Sequence, residues 1–369
     1  MRRRRPERRR TQRGFTLIEL MVALVISALL VGMILAIFLR MSLAYRGQQQ
    51  VAGVQQVLAA ARAMFELDAK QSGLLMSQGF RLADGNLYAP VRVVNSANGA
   101  NTPDQVGFYY ADSSIQAAVL IGSPVCTQTQ CDVDSTTGFS VGDIVVASTA
   151  ATTPSPFGGE ADLATFQVCI LQVAAKGPTQ FTFSTAAPWG NLNAGGNNHC
   201  VMPIKGTTMY YKLVSHFYRI EPARPADGVL QMSPSGNLVG AADWQDLGFG
   251  FTDLQIATRF FEQGDAVDTL DPDTDPTRDW YSSAAQTAMT SGGGPYLPAI
   301  QMSISLVART ERNVEGIASA STPLLNVVGN VTNNTIGDRD AIPLPSVDPT
   351  LTGERIFRFT TFQVDLRNL

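Results

Sequence analysis

The chain has 369 residues, 45% of them hydrophobic and only 16% charged. That length supports a real core and more than one folded unit, and the composition argues against a charge-rich cytosolic protein. The net charge of −4 hides a split: residues 1–14 hold eight of the 27 Lys and Arg and one of the 31 Asp and Glu, so a +7 tip precedes a body of −11. Such a tip serves either nucleic acid or membrane topology. The Arg run leads directly into an apolar segment and no second basic cluster follows. This excludes nucleic acid as the natural partner and leaves a positive-inside flank, with the arginines in the cytoplasm.

The first element is that apolar segment. Phe15 to Leu39 is 25 residues with one charge, Glu19. At 1.5 Å per residue it reaches about 37 Å, enough to span a bilayer core. It exceeds the apolar region of an ordinary cleaved signal peptide, although Ser42-Leu43-Ala44 has the small-residue character of a cleavage site. No proline lies between Pro6 and Pro90, and Val51, Val54, Leu58, Ala61 and Phe65 follow at intervals of 3, 4, 3 and 4. That spacing draws one apolar stripe. One helix is therefore expected from about Phe15 to Ala69, with a transmembrane half (15–39) and an amphipathic half (40–69). Gly47 and Gly53 weaken it, each by up to about 1 kcal/mol relative to Ala.

Glu19 needs an explanation, because an acid at the centre of a membrane helix costs about 2.5–3.5 kcal/mol on insertion scales. A cut between Gly14 and Phe15 supplies one. It gives Phe15 a free α-amino group, four residues from Glu19. In a stack of such helices, the acid of one subunit can neutralise the terminal amine of its neighbour. A low-dielectric bundle makes a missing partner expensive. Glu19 is then a docking register between subunits and not a catalyst.

Beyond residue 70 the text turns strand-like. "VGFYY" (106–110), "FSVGDIVVAS" (139–148), "FQVCILQV" (166–173) and "TQFTFST" (179–185) are short β-branched or aromatic runs bounded by Gly, Pro and Asn. "IQMSISLVAR" (300–309) alternates, with Ile300, Met302, Ile304, Leu306 and Ala308 on one face. The closing "FRFTTFQVDLRNL" also alternates, but its phase slips between Phe359 and Phe362, and a bulge at Thr360–Thr361 would restore one buried face. Linkers are expected at 149–160, 191–198 and 282–298. The fold class is α+β: a long N-terminal helix packed on an antiparallel β-sheet domain (70–369), with a β-rich insertion at about 113–205.

Cys126, Cys131, Cys169 and Cys200 all fall in that insertion. They lie on the side of the membrane opposite the arginines, which in a Gram-negative cell is the oxidising periplasm. Four cysteines permit three pairings; the favoured one is Cys126–Cys131 with Cys169–Cys200. Zinc is the alternative, but no CxxC pair occurs and His199 is the only nearby histidine. His216, the other histidine, reads as a plain strand residue. In "DPDTDPTRD", Asp271, Asp273, Asp275 and Asp279 take relative positions 1, 3, 5 and 9, a spacing that can turn carboxylates toward one calcium ion. Pro276 and Ser282 stand where an EF-hand has Gly and Glu, so a solvated acidic turn is the plainer alternative. No other cofactor is indicated. Phosphate-cradling glycine loops, GxSxG and HExxH are all missing from the sequence, which argues against an enzyme.

Two resemblances add to this. "RGFTLIELMVALVISALL" resembles the class III signal of type IV prepilins and pseudopilins. That likeness implies cleavage after Gly14 by a prepilin peptidase, N-methylation of Phe15, and Glu19 as the docking carboxylate. The absence of a proline in the membrane half departs from many major pilins. "YYKLVSHFYRI", "DLGFGFTDLQIATRFFEQGDAVDTLDPDTDPTRDW", "IQMSISLVART" and "RIFRFTTFQVDLRNL" follow an order similar to the PilW family of minor pilins. Such chains often carry an Asp-rich loop at the place of 271–279. The likeness covers the leader, the helix and roughly 205–369, and leaves the insertion unaccounted for. It implies a pilin-like fold and a role in priming pilus assembly in a tip complex, supporting twitching motility or adhesion. The implied partners are other minor pilins, the major pilin, the inner-membrane assembly platform, a large tip adhesin and inner-membrane lipid. The implied location is a single pass through the inner membrane with the bulk in the periplasm, and then the pilus. The J-type pseudopilin of type II secretion, normally a much shorter chain, and a tip adhesin binding a surface or glycan are the alternatives.

Overall fold

The computed structural model describes residues 15–76, 80–81, 87–94, 103–118, 120, 129–149, 169–185, 208–224, 227–236, 238, 243–260, 280–281, 299–310 and 357–366. Its first element is a single helix, α1 (Leu17–Gln71), 55 residues long. Residues 15–41 are exposed around the whole circumference, and the helix is long and apolar enough to cross a membrane. The stripe in its second half is buried: Val54, Leu58, Ala61 and Phe65 face the domain, and Asp68 and Ala69 extend the same face. Val51, the first residue of the expected stripe, is only partly covered. Arg62 and Lys70 flank Glu66 at i,i+4 spacing on the outer side. The helix stops at Ser72, whose N–H donates to Asp68 O at 2.9 Å.

Fifteen strands follow among the described residues: β1 (Phe80–Arg81), β2 (Leu87–Tyr88), β3 (Val91–Val94), β4 (Gln105–Ala118), β5 (Gln130–Asp132), β6 (Ile144–Thr149), β7 (Cys169–Lys176), β8 (Gln180–Phe183), β9 (Thr208–Ile220), β10 (Leu230–Ser233), β11 (Gln245–Gly248), β12 (Phe251–Phe260), β13 (Trp280–Tyr281), β14 (Ala299–Arg309) and β15 (Phe357–Asp365). These strands pair antiparallel, apart from one parallel contact between Arg81 and Cys169.

Two sheets cover the helix. One runs β3-β4-β9-β10-β11 and the other β13-β12-β14-β15. Their apolar faces close a common core on α1. There Leu58 and Phe65 meet Phe108, Tyr218, Leu254, Ile256, Ile304 and Phe362. Phe65 lies 4.4 Å from Tyr218 and stands edge-on to Phe108 at 6.2 Å, ring centroid to centroid. Asp104 ties the sheets together: its N–H donates to Leu254 O at 2.8 Å, and its Oδ2 accepts from Ile256 N at 2.9 Å. The β11–β12 turn depends on Gly250, at φ 88°, where an added Cβ would stand 2.6 Å from Arg309 O.

The last strand differs from the sequence expectation. β15 pairs with β14 in unbroken register from Phe357↔Arg309 to Asp365↔Gln301, so no bulge occurs at Thr360–Thr361. Phe362, Val364 and Leu366 are buried, while Phe359 simply faces outward at 39% exposure. A separate irregularity lies in the β12–β14 pairing. Phe260 pairs with Ala299 and Arg259 with Gln301, leaving Ile300 as the extra residue. This bulge turns Ile300 outward although its parity matches buried Met302, Ile304 and Leu306.

The β4–β9 ribbon carries the rest. It pairs regularly from Val106↔Tyr218 to Asp112↔Lys212, shifts register, and resumes from Gln116↔Tyr211 to Ala118↔Met209. At the shift, Ser114 donates both its N–H and its hydroxyl to Asp112 Oδ1, at 2.8 and 2.6 Å. These bonds hold the Asp112 carboxyl below its ordinary range. Beyond the shift, β9 pairs with β6, β6 with β7, β7 with β8 and β8 with β5. Leu120 N then donates to Asp132 O and Asp134 N to Ala118 O, returning β5 to the end of β4. The ring β4-β9-β6-β7-β8-β5 is thus a closed six-stranded barrel. Its interior is Ala117, Cys131, Val133, Phe139, Val145, Ala147, Leu171, Val173, Phe181, Phe183 and Tyr210. Val146, Ile170, Leu213 and Phe217 point the other way, into a second layer with Met76 and Phe80. The β-rich stretch therefore has a core of its own but shares two strands with the helix-packed sheet.

Candidate functional site

The start of α1 answers part of the question that Glu19 poses. Thr16 is the N-cap, and Glu19 is the third residue of the helix. Glu19 N donates to Thr16 Oγ1 at 3.3 Å, and Glu19 Oε2 accepts from Thr16 N and Thr16 Oγ1, each at 3.0 Å. This is a capping box, in which two backbone donors without intrahelical partners are satisfied reciprocally, with an acid at the positive end of the helix dipole. Sequence reasoning missed it, although Thr-x-x-Glu before an apolar run was there to read. The box fixes the rotamer of Glu19 while leaving the carboxylate exposed. One flank of the group is the shallow apolar surface of Ile18, Val22, Ala23 and Ile26. Phe15 is exposed beside it at 87%, and Gly14 lies outside the described residues. An exposed, oriented anion beside unpartnered apolar side chains can accept a cation when a second helix seals the surface.

A second polar centre, not anticipated, fixes how the helix meets the sheet. Asp68 is 3% exposed. Its Oδ1 accepts from Tyr110 Oη at 3.3 Å, and its Oδ2 accepts from Tyr218 Oη and lies 2.9 Å from His216 Nδ1. Burial pushes both tyrosine hydroxyls well up, and the Asp68 charge adds to the effect. They remain neutral donors, so one carboxylate clamps β4 and β9 to the last turn of α1. His216 is thus a strand residue with a specific partner. The signal was present in the sequence. Asp68 continues the stripe after Phe65 at the same spacing, and an acid on a buried stripe demands donors.

Most of the remaining predicted residues lie outside the described ones. Cys131 is buried inside the barrel and disulfide-bonded. Cys169 opens β7, and its side chain lies outside the described residues, as do Cys126 and Cys200. Asp271, Asp273, Asp275 and Asp279 also lie outside them, as do the expected linkers at 191–198 and 282–298 and most of that at 149–160. Among the described residues no group of three His, Cys, Asp or Glu could hold a metal ion.

Compared with known proteins, the chain carries the prokaryotic N-terminal methylation motif at residues 9–35, which contain Gly14, Phe15 and Glu19. No curated protein and no solved structure matches it. The motif supports a type IV pilin-like or pseudopilin protein. The exposed apolar helix that follows it fits a membrane anchor, and prepilin processing and assembly with other pilins follow from the same motif.

Proposed function

We propose that the chain is a minor type IV pilin that primes pilus assembly. The observation that carries this reading is the pairing of a methylation motif with a helix whose first half is bare and whose second half is clamped to a folded domain. Such a molecule is built to be anchored first and polymerised later. Insertion leaves the arginine leader in the cytoplasm and the domain in the periplasm. Cleavage after Gly14 frees the Phe15 amine, and N-methylation leaves it cationic. On extraction, the bare helix exchanges lipid for neighbouring helices. Glu19, held ready by Thr16, pairs with the amine of an adjacent subunit. The proposed partners are other minor pilins, the major pilin, the peptidase and the assembly platform, with an adhesin above a tip complex. The order of the strand-rich segments supports a PilW-like subunit in particular. A structural subunit needs no catalytic centre.

A second reading places direct adhesion on the barrel, and its geometry favours that surface. Ala118, Gln130, Thr149, Cys169, Phe183 and Thr208 lie toward one end of the barrel, as their pairings require. The described residues that flank 121–128, 150–168 and 186–207 therefore lie toward that end. The last of these segments contains Trp189, a residue type suited to sugar contact. The favoured disulfides, Cys126–Cys131 and Cys169–Cys200, would tie down two of these segments, and calcium at Asp271–Asp279 would order the acidic turn. A deletion strain scored for surface pili, twitching motility and secreted enzymes tests the main reading. Loss of pili with secretion unchanged is expected. Intact pili with enzymes trapped in the periplasm would assign the chain to a type II secretion pseudopilus instead.

A further inference from the structure

Past the bare half of α1, the helix and the β11–β12 turn enclose an open cleft of about 410 Å³. Its floor is α1 at Gln50, Gly53, Val54 and Val57, and its rim is Phe249 with the end of β14. Phe249 is 50% exposed and Leu247, two residues before it, 37%. Among the described residues, Gln50 Oε1 is shielded from solvent and accepts no hydrogen bond, and a Cβ at Gly53 would meet none of their atoms within 4 Å. A glycine in a helix interior costs about 1 kcal/mol relative to Ala, and at Gly53 the domain itself does not require one.

We infer that this cleft is a docking groove for the helix of a second membrane-anchored pilin-type subunit, lying parallel to α1 against Gly53 and Phe249. The inference rests on the filament reading above. Continuity identifies the occupant. Exposed apolar surface runs along α1 through Met41, Leu43 and Tyr45 up to the cleft, and that same surface must find other helices when it leaves lipid. Gln50 lies eleven residues beyond Leu39, about 16 Å along the helix. An element rising from the same bilayer, parallel to α1, arrives there without bending. Gly53 lets its backbone approach closely, Phe249 supplies an aromatic wall, and Gln50 Oε1, otherwise buried without a donor, accepts from a side chain of the incoming helix.

The test uses the full-length chain in its own cells. Gly53→Leu should fold at least as well as wild type, because the site is open, yet reduce incorporation into sheared filaments at least tenfold. A benzophenone amino acid at Leu247 should crosslink to another subunit bearing an N-methylated N-terminus, and that adduct should vanish with Glu19→Ala. The same probe at Val141, exposed on the barrel, should give none. Should Gly53→Leu fail to fold, Phe249→Ser carries the incorporation test. Incorporation of a folded groove variant within twofold of wild type, or a Leu247 adduct confined to this chain or to lipid, overturns the groove. If Glu19→Ala incorporates normally, it is the filament reading itself that fails.

Discussion

Removing the Asp68 carboxylate should detach the helix from the sheet, and the size of the loss can be worked from its partners. Asp68 is 3% exposed and receives Tyr110, Tyr218 and His216 on its two oxygens. Asp68→Ala leaves two hydroxyls and an imidazole facing a cavity. One unsatisfied buried donor costs about 1–3 kcal/mol, and breaking a buried charged network costs about 3–5 kcal/mol. We expect a loss of about 3–5 kcal/mol, against a typical domain stability of about 5–15 kcal/mol. Tyr218→Phe should cost about 1–2 kcal/mol, and Tyr110→Phe less, because its bond is longer at 3.3 Å and its ring more accessible. The assay is urea unfolding of the detergent-solubilised chain, followed by tryptophan fluorescence, with a double-mutant cycle of Asp68→Ala and Tyr218→Phe. In the Asp68→Ala background, Tyr218→Phe should cost almost nothing. A loss under about 0.5 kcal/mol for Asp68→Ala, or additive costs in the cycle, refutes the clamp.

Four further outcomes follow. Glu19→Ala should leave cleavage after Gly14 intact and weaken incorporation, as read by immunoblots of sheared filaments. Glu19→Gln keeps the capping-box geometry but not the charge, so it should be as defective as Ala; rescue by Gln would mean that the cap is the whole role of the residue. Asp246 is held below its ordinary range by Gln231 and then by Arg224. A depressed carboxylate contributes stability above its unfolded value that is lost as pH falls through the folded one. Amide exchange in β10–β11 should therefore quicken below about pH 4, and Asp246→Asn should flatten that dependence. Gly250→Ala should destabilise by well over 1 kcal/mol, since φ 88° and the 2.6 Å approach to Arg309 O both oppose a side chain; an unchanged melting temperature contradicts this account of the turn. Calorimetry should show calcium heat at millimolar concentration that Asp273→Ala abolishes, and silence in the wild type ends the calcium proposal.

The helix was legible because its determinants are local: an apolar run, the absence of proline and a 3–4 spacing that maps onto buried Val54, Leu58, Ala61 and Phe65. Asp68 obeyed the same spacing and was overlooked, because the stripe was read for apolar residues only. Strand text at 106–110, 139–148, 166–173 and 179–185 fell on or beside β4, β6, β7 and β8. Barrel closure could not be read there. It depends on β4 meeting β9 across about ninety residues of chain, and on hydrogen bonds from Leu120 and Asp134 that no alternation encodes. The phase slip read in "FRFTTFQVD" was only apparent: β15 keeps its register throughout, and Phe359 lies on the outward face. Aromatic residues were assumed to mark the buried face, and an exposed phenylalanine breaks that assumption without breaking the alternation.

The long ribbon also sets how the molecule carries load. β4 and β9 belong to both the helix-packed sheet and the barrel, so tension applied at the barrel reaches α1 along those two strands. Their hydrogen bonds lie across the strand direction, and a pull along it meets them in shear, many at once, instead of unzipping them singly. The Asp112–Ser114 shift is the one interruption in that path, which makes it the natural point of yield: the barrel would let go before the domain lost its grip on the helix. A subunit stretched between a membrane-born filament and whatever its barrel holds would thus fail first at the barrel.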